Sequence, residues 1–161
     1  MGNRKAIFDT NKGKITIELF EDKAPLTTNN FVKLVEKGFY NGIVFHRVIA
    51  GFMIQTGCPY GTGTGGPGYA IRDEFTKGVS NVRGTLAMAN SGPNTGGSQF
   101  FINLVDNTFL DYDKEPLTSR HPVFGKVVDG MKVVDEISKV KTDRHDKPVI
   151  EVKINSISLS K

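Results

Sequence analysis

Residues 45–55 read Phe45-His46-Arg47-Val48-Ile49-Ala50-Gly51-Phe52-Met53-Ile54-Gln55. If Phe45 to Ile49 is a strand, its two-residue period places Phe45, Arg47 and Ile49 on one face and His46 and Val48 on the other. An arginine among large apolar side chains is unusual, because Arg is rarely fully buried without a partner. Gly51 lets the backbone turn, and Phe52, Met53 and Gln55 follow on a new heading. Two readings are open at this point. One is an edge strand whose arginine runs its stem along the surface and keeps its head in water. The other is an apolar pocket with a fixed guanidinium at its rim.

Lys14-Ile15-Thr16-Ile17-Glu18-Leu19-Phe20 alternates cleanly, with Ile15, Ile17 and Leu19 expected inward. Lys12-Gly13 is a turn signal, so residues 4–9 and 14–20 are expected to form a hairpin. Ala24-Pro25-Leu26-Thr27-Thr28 opens a helix, with proline in the first turn, where its missing donor is harmless. Phe31, Leu34 and Val35 give that helix one apolar stripe, and Gly38 ends it. Residues 57–68, with their many glycines and prolines, cannot form a regular element. Gly61, Gly63 and Gly66 satisfy G-x-G-x-x-G by count, but Pro67-Gly68 stands where a helix would have to begin, so a structural surface loop is expected.

Further strands are expected at Thr85 to Ala89, Gln99 to Asn103 and Val123 to Val128. A second helix is expected at Met131 to Lys139, with Val133, Val134 and Ile137 on one face and Asp129 as N-cap. The last strand is expected from Val149 to Leu159. Its inward set runs Ile150, Val152 and Ile154, then shifts phase to Ile157 and Leu159, which a bulge near Asn155-Ser156 would explain. Short strands that do not alternate with helices argue against a parallel sheet and for an antiparallel barrel or sandwich, with the two helices covering open ends.

At 161 residues the chain is long enough for one domain with a sizeable core. No apolar run approaches the ~20 residues of a membrane span, and the start of the chain lacks a secretory apolar segment, so a cytoplasmic location is expected. Ala6 stands where a myristoylation signal needs Ser or Thr. The net charge of +4 comes from scattered basic residues, without the concentrated face that nucleic-acid binding requires. Cys58 is the only cysteine, so no internal disulfide can form. His46, His121 and His145 have no metal-ligand spacing, and Ser98 lacks the second glycine of G-x-S-x-G. Nucleophilic and metal chemistry are therefore not expected.

A second segment stands out: Met88-Ala89-Asn90-Ser91-Gly92-Pro93-Asn94-Thr95-Gly96-Gly97-Ser98-Gln99-Phe100-Phe101-Ile102-Asn103. Together with residues 45–55, and with Phe109-Leu110-Asp111 and His121-Pro122-Val123-Phe124-Gly125-Lys126-Val127, it closely resembles the cyclophilin family of peptidyl-prolyl cis–trans isomerases. The resemblance covers nearly the whole chain and is closest to compact, prokaryotic-like members. It implies a mainly β fold, a closed eight-stranded antiparallel β-barrel capped by two α-helices, as one domain over 1–161. It implies no cofactor. By motif position, Arg47 matches the catalytic arginine, with Phe52 and Gln55 in the catalytic group. Met53, Phe101, Leu110 and His121 match the walls of the proline pocket, with Phe52. Ala89, Asn90 and Gln99 match the groove for the peptide backbone, with Gln55. Phe109 stands where many eukaryotic members carry the Trp associated with tight binding of cyclosporin, which puts that affinity in question. The implied partners are proline-containing peptides and folding proteins, met by a monomer, without nucleic acid or membrane.

The physical chemistry of such a site is simple. Amide conjugation sets a rotation barrier of ~18–20 kcal/mol. At X–Pro the isomers are close in energy, yet exchange takes tens of seconds or longer. Twisting the bond frees the nitrogen lone pair, so a donor aimed at that nitrogen binds the twisted state better than the planar one. Arginine always carries donors, and an apolar pocket keeps water from competing. A ~10⁵-fold acceleration needs about 7 kcal/mol. One charged hydrogen bond supplies roughly 1.5–3 kcal/mol, so orientation by Asn90 and Gln55 has to contribute as well. A proline-binding module or holdase chaperone would use the same pocket without needing Arg47 for rate.

Overall fold

A computed structural model describes residues 3–115 and 120–160. In chain order the elements are β1 (Lys5–Thr10), β2 (Gly13–Leu19), α1 (Pro25–Glu36), β3 (Arg47–Ile49), β4 (Met53–Thr56), β5 (Thr85–Met88), β6 (Phe100–Asn103), a 3-10 turn (Thr108–Leu110), β7 (Val123–Asp129), α2 (Met131–Ile137) and β8 (Ile154–Ser160). They form one 8-stranded antiparallel sheet in the order β3-β4-β6-β5-β7-β2-β1-β8. The expected hairpin pairs Lys5 with Glu18 through Thr10 with Gly13, and Ile15, Ile17 and Leu19 are fully buried.

Closure of the barrel differs from the expectation. The sheet ends at β3 and β8, with no ladder between these edges among the described residues. The seam is an isolated bridge, Val44 with Lys153, flanked by Phe45 N–H donating to Val152 O and Ile154 N–H to Ile43 O, each at 2.8 Å. The result is a curled, incompletely closed sheet. The same hydrogen bonds correct the reading of Phe45. Its backbone pairs with Val152 rather than with β4, so strand alternation begins only at Arg47. Phe45 and Val48 lie in the inner core, and Arg47 is exposed on the other face with Ile49.

Two apolar clusters occupy opposite faces of the central strands. Ile54, Leu86, Met88, Phe100, Ile102 and Phe124 point inward to the larger one. Their chain neighbours Met53, Ala87, Phe101 and Val123 point outward to a smaller one completed by Leu110. Both faces of β5 and β6 are thus covered, so these strands are apolar throughout rather than alternating. The inner core is dominated by rings. Phe100 meets Phe8, Phe31, Tyr40 and Phe124 with centroids 5.6 to 6.1 Å apart, all near edge-on. Helix α1 enters it through Phe31 and Leu34, and α2 through Val134 and Ile137.

Three local expectations are settled by pairing. The bulge in β8 is present: Asp9 opposes Ser156 while Thr10 opposes Ile154, leaving Asn155 without a partner. Ile150, expected inward, is 79% exposed, and β8 starts only at Ile154. The reason is that β1 ends at Thr10 and offers residues 149–152 no ladder; Val149 N–H donates instead to Lys141 O, and Val152 O accepts from Phe45 N–H. Asp129 is not the cap of α2. It belongs to β7, and Gly130 holds the cap position at φ 87°, where an added Cβ would lie 2.3 Å from Lys14 O. No helix is long and apolar enough to cross a membrane among the described residues.

Candidate active site

The outer face of the sheet carries one continuous row. Arg47 on β3 opposes Gln55 on β4, Gln55 opposes Phe101 on β6, and Phe101 opposes Ala87 on β5. Directly opposite residues share a face, with Cβ atoms about 5 Å apart. Residues far apart in the chain are thereby brought side by side. Two of them, Arg47 and Gln55, begin a chain of polar contacts that runs on to Gln99. Arg47 Nη1 donates to Gln55 Oε1 at a long 3.5 Å, and Gln55 Nε2 to Gln99 Oε1 at 3.0 Å. Gln99 Nε2 donates to the carbonyls of Gly63 and Gly65 at 3.0 and 2.9 Å.

Beside Arg47 a cavity of about 120 Å³ opens into the smaller cluster. Its apolar walls are Phe52, Met53, Phe101 and Leu110, with Ala89, and its polar rim is Arg47, Gln55, Asn90 and His121. His121 Nδ1 lies 2.8 Å from Met88 O, so this nitrogen carries the proton and donates. The imidazole stands edge-on to Phe101 at 5.3 Å. Burial holds it below its ordinary range, against the Met88 contact, so the ring is neutral at pH 7. Asn90 is fixed by donating to Arg120 O at 2.9 Å and accepting from Gly92 N–H at 3.2 Å.

Of the residues expected at the site, two lie off this cavity. Phe109 is 57% exposed and stacks on Phe52 at 6.1 Å, above the rim. Gln99 lines an adjoining groove with Gln55, Ala89 and Asn90. Loop 57–68, expected as a structural surface loop, also walls that groove through residues 63–67. Burial alone would raise the Cys58 thiol, but backbone N–H bonds, led by that of Gly65 at 3.2 Å, bring it down to about 7.

A profile of the family "Cyclophilin type peptidyl-prolyl cis-trans isomerase/CLD" matches residues 6–159. The chain belongs to this family. It is 47% identical to a peptidyl-prolyl cis-trans isomerase-like 1 of Aspergillus fumigatus, over 92% of this chain and 90% of the relative. It is 50% identical to a peptidyl-prolyl cis-trans isomerase of Helicobacter pylori, over 83% and 80%. A crystal structure of a Cryptosporidium parvum cyclophilin superposes with a TM-score of 0.90 at 34% identity, covering 99% of this chain and 98% of the other. The same parasite protein solved in the presence of the dipeptide Ala-Pro gives 0.88.

What sequence reasoning missed in this cyclophilin is the support behind the cavity. Asn107 Nδ2 donates to Phe52 O and Asn103 Oδ1, Asn103 Nδ2 to Asn81 Oδ1, and Asn81 Nδ2 to Asp111 Oδ1 and His121 O. These side chains are buried and tie the segments bearing Phe52, Leu110 and His121 together. Single buried amides at these spacings leave no pattern in a sequence.

His46 is buried, its Nδ1 has no partner among the described residues, and its value is pushed down to about 4, first by burial and then by Lys147 and Arg47. A base depressed in the folded state is protonated more readily when unfolded. Stability from this group is therefore complete above pH 6.5, its ordinary value, and is lost as pH falls towards 4. Urea midpoints should fall over that window, and His46→Asn should remove most of the fall. His121, shifted the same way, and Glu21, whose carboxylate the Arg4 hydrogen bond holds below its ordinary range, contribute to the remainder.

Proposed function

We propose that this cyclophilin, a peptidyl-prolyl cis–trans isomerase, acts through its 161 residues as one isomerase unit and works by binding the twisted imide. The proline ring enters the cavity against Phe101, Met53, Leu110 and Phe52, with His121 at its edge. Arg47 donates to the imide nitrogen as the lone pair is released. Asn90, Ala89, Gln55 and Gln99 hold the peptide backbone, and the Gln55 and Gln99 contacts hold the guanidinium over the cavity. No proton changes hands and no covalent intermediate forms.

The observation that supports this best is the sharing of one small apolar cavity by Arg47, Phe101 and His121. That the parasite relative was solved in the presence of the dipeptide Ala-Pro points to the same substrate class. Substrates are accordingly X–Pro segments of peptides and folding proteins. The exposed Phe109 offers a flat ring where cyclosporin would otherwise meet Trp, which predicts weak binding of that drug.

Exchange NMR of a short Ala-Pro peptide tests the reading. Exchange cross-peaks growing with enzyme at substoichiometric amounts are expected. Saturable binding without added exchange would make the pocket a recognition module. Because the mechanism transfers no proton, and burial holds both His46 and His121 below their ordinary value, kcat/KM should be flat from about pH 6 to 9. A bell with two steep limbs would contradict the mechanism.

A further inference from the structure

A second cleft, of about 490 Å³, shares Arg47 and Gln55 with the apolar cavity and plays no part in the mechanism above. Its remaining walls are His46, the turn at Gly61–Gly63, and Asp143, His145 and Lys147. Two fixed cations face it. Neither Arg47 nor Lys147 pairs with a carboxylate among the described residues. Lys147 Nζ has only the Gly61 carbonyl, at 3.0 Å, which anchors the ammonium and leaves its other donors available. Arg47 has only the long contact to Gln55.

Asp143 is the one acid on the wall, and it is occupied. Its Oδ1 accepts the backbone N–H groups of His145 at 2.8 Å and Lys147 at 3.1 Å, closing the turn that presents Lys147. The sign of the field is read at His46, whose protonation Lys147 and Arg47 both oppose. A planar guanidinium with five donors can serve the apolar cavity along one edge and an anion along another. Among the described residues no acidic side chain other than Asp143 lines the cleft.

We propose that this cleft is a subsite for an anionic side chain of the client peptide, a carboxylate or a phosphate, next to the proline or one residue away. The short reach follows from the shared wall, since Arg47 and Gln55 border both spaces. The proposal rests on the proline-pocket reading above.

The test is kcat/KM by exchange NMR for Ala-Pro peptides carrying Asp, Asn, phosphoserine or Ser at each flanking position in turn. At one position the charged member should exceed its neutral counterpart by about 5-fold at low salt, the scale of a partly exposed ion pair. The gain should shrink at high salt. Lys147→Gln, which keeps a donor for Gly61, should abolish the gain and leave the neutral peptides unchanged, and Lys147→Arg should keep it. A gain with Asp assigns the subsite to acidic residues, and a gain with phosphoserine alone assigns it to phosphorylated ones. No gain at any position, or a gain that survives Lys147→Gln, overturns the proposal. If the neutral peptides show no acceleration, the isomerase reading fails on its own. Charge-selective shifts of Lys147 resonances on peptide binding then decide the subsite separately.

Discussion

Arg47→Ala should lower kcat/KM for X–Pro conversion by about 10²–10³-fold, the usual cost of removing one preorganised donor from a developing charge. The folded protein should barely register the change. Arg47 is exposed, and its one contact is the long hydrogen bond to Gln55. The loss belongs to the transition state because a planar imide offers no lone pair to bond, whereas a twisted one does. Arg47→Lys should recover only part of the rate, because an ammonium on a flexible stem lacks the rigid fork that reaches Gln55 and substrate together. Initial cis-to-trans rates at peptide concentrations below KM, compared across the three proteins, check both statements.

Phe100→Ala should destabilise the fold by about 3–5 kcal/mol, the range for emptying a large aromatic site in a packed core. Phe100 is fully buried and touches four other rings. Domains of this kind hold only about 5–15 kcal/mol in total, so the variant would sit close to unfolding. The neighbouring Phe101 faces the other side of β6, in the outer cluster that walls the cavity. Phe101→Leu should cost far less stability and instead weaken peptide binding, having lost the ring that His121 packs against. Denaturant midpoints and peptide titrations on the two variants separate the roles of adjacent residues in one strand.

That contrast also shows what a sequence can reveal. In β2 one face meets the core and the other is polar, so Ile15, Ile17 and Leu19 announce themselves by alternation. In β5 and β6 both faces are buried, and period two is invisible. Those strands were legible only as short apolar runs, with nothing to say which side chains face the core. The same holds for the site. Motifs marked Arg47, Gln55 and Phe101 separately, but the row that joins them exists only once β4 lies between β3 and β6. Ile150 misled because an apolar phase continues past the point where a pairing partner ends. Closure misled because the seam falls outside the strands: residues 43–45, ahead of β3, meet residues 152–154 through one bridge and its flanking hydrogen bonds rather than a ladder. The amides of Asn81, Asn103 and Asn107 act through contacts between distant segments, which local composition does not record.

Line-shape NMR of an Ala-Pro peptide titrated with wild type and with Arg47→Ala addresses the central claim most directly. It separates affinity for each isomer from the rate of interconversion on the enzyme. The mechanism predicts affinities agreeing to within about two-fold and an interconversion rate lower by about 100-fold in the variant. Weakened affinity with an unchanged interconversion rate would contradict it, and would make Arg47 a residue that holds the peptide rather than one that turns the bond.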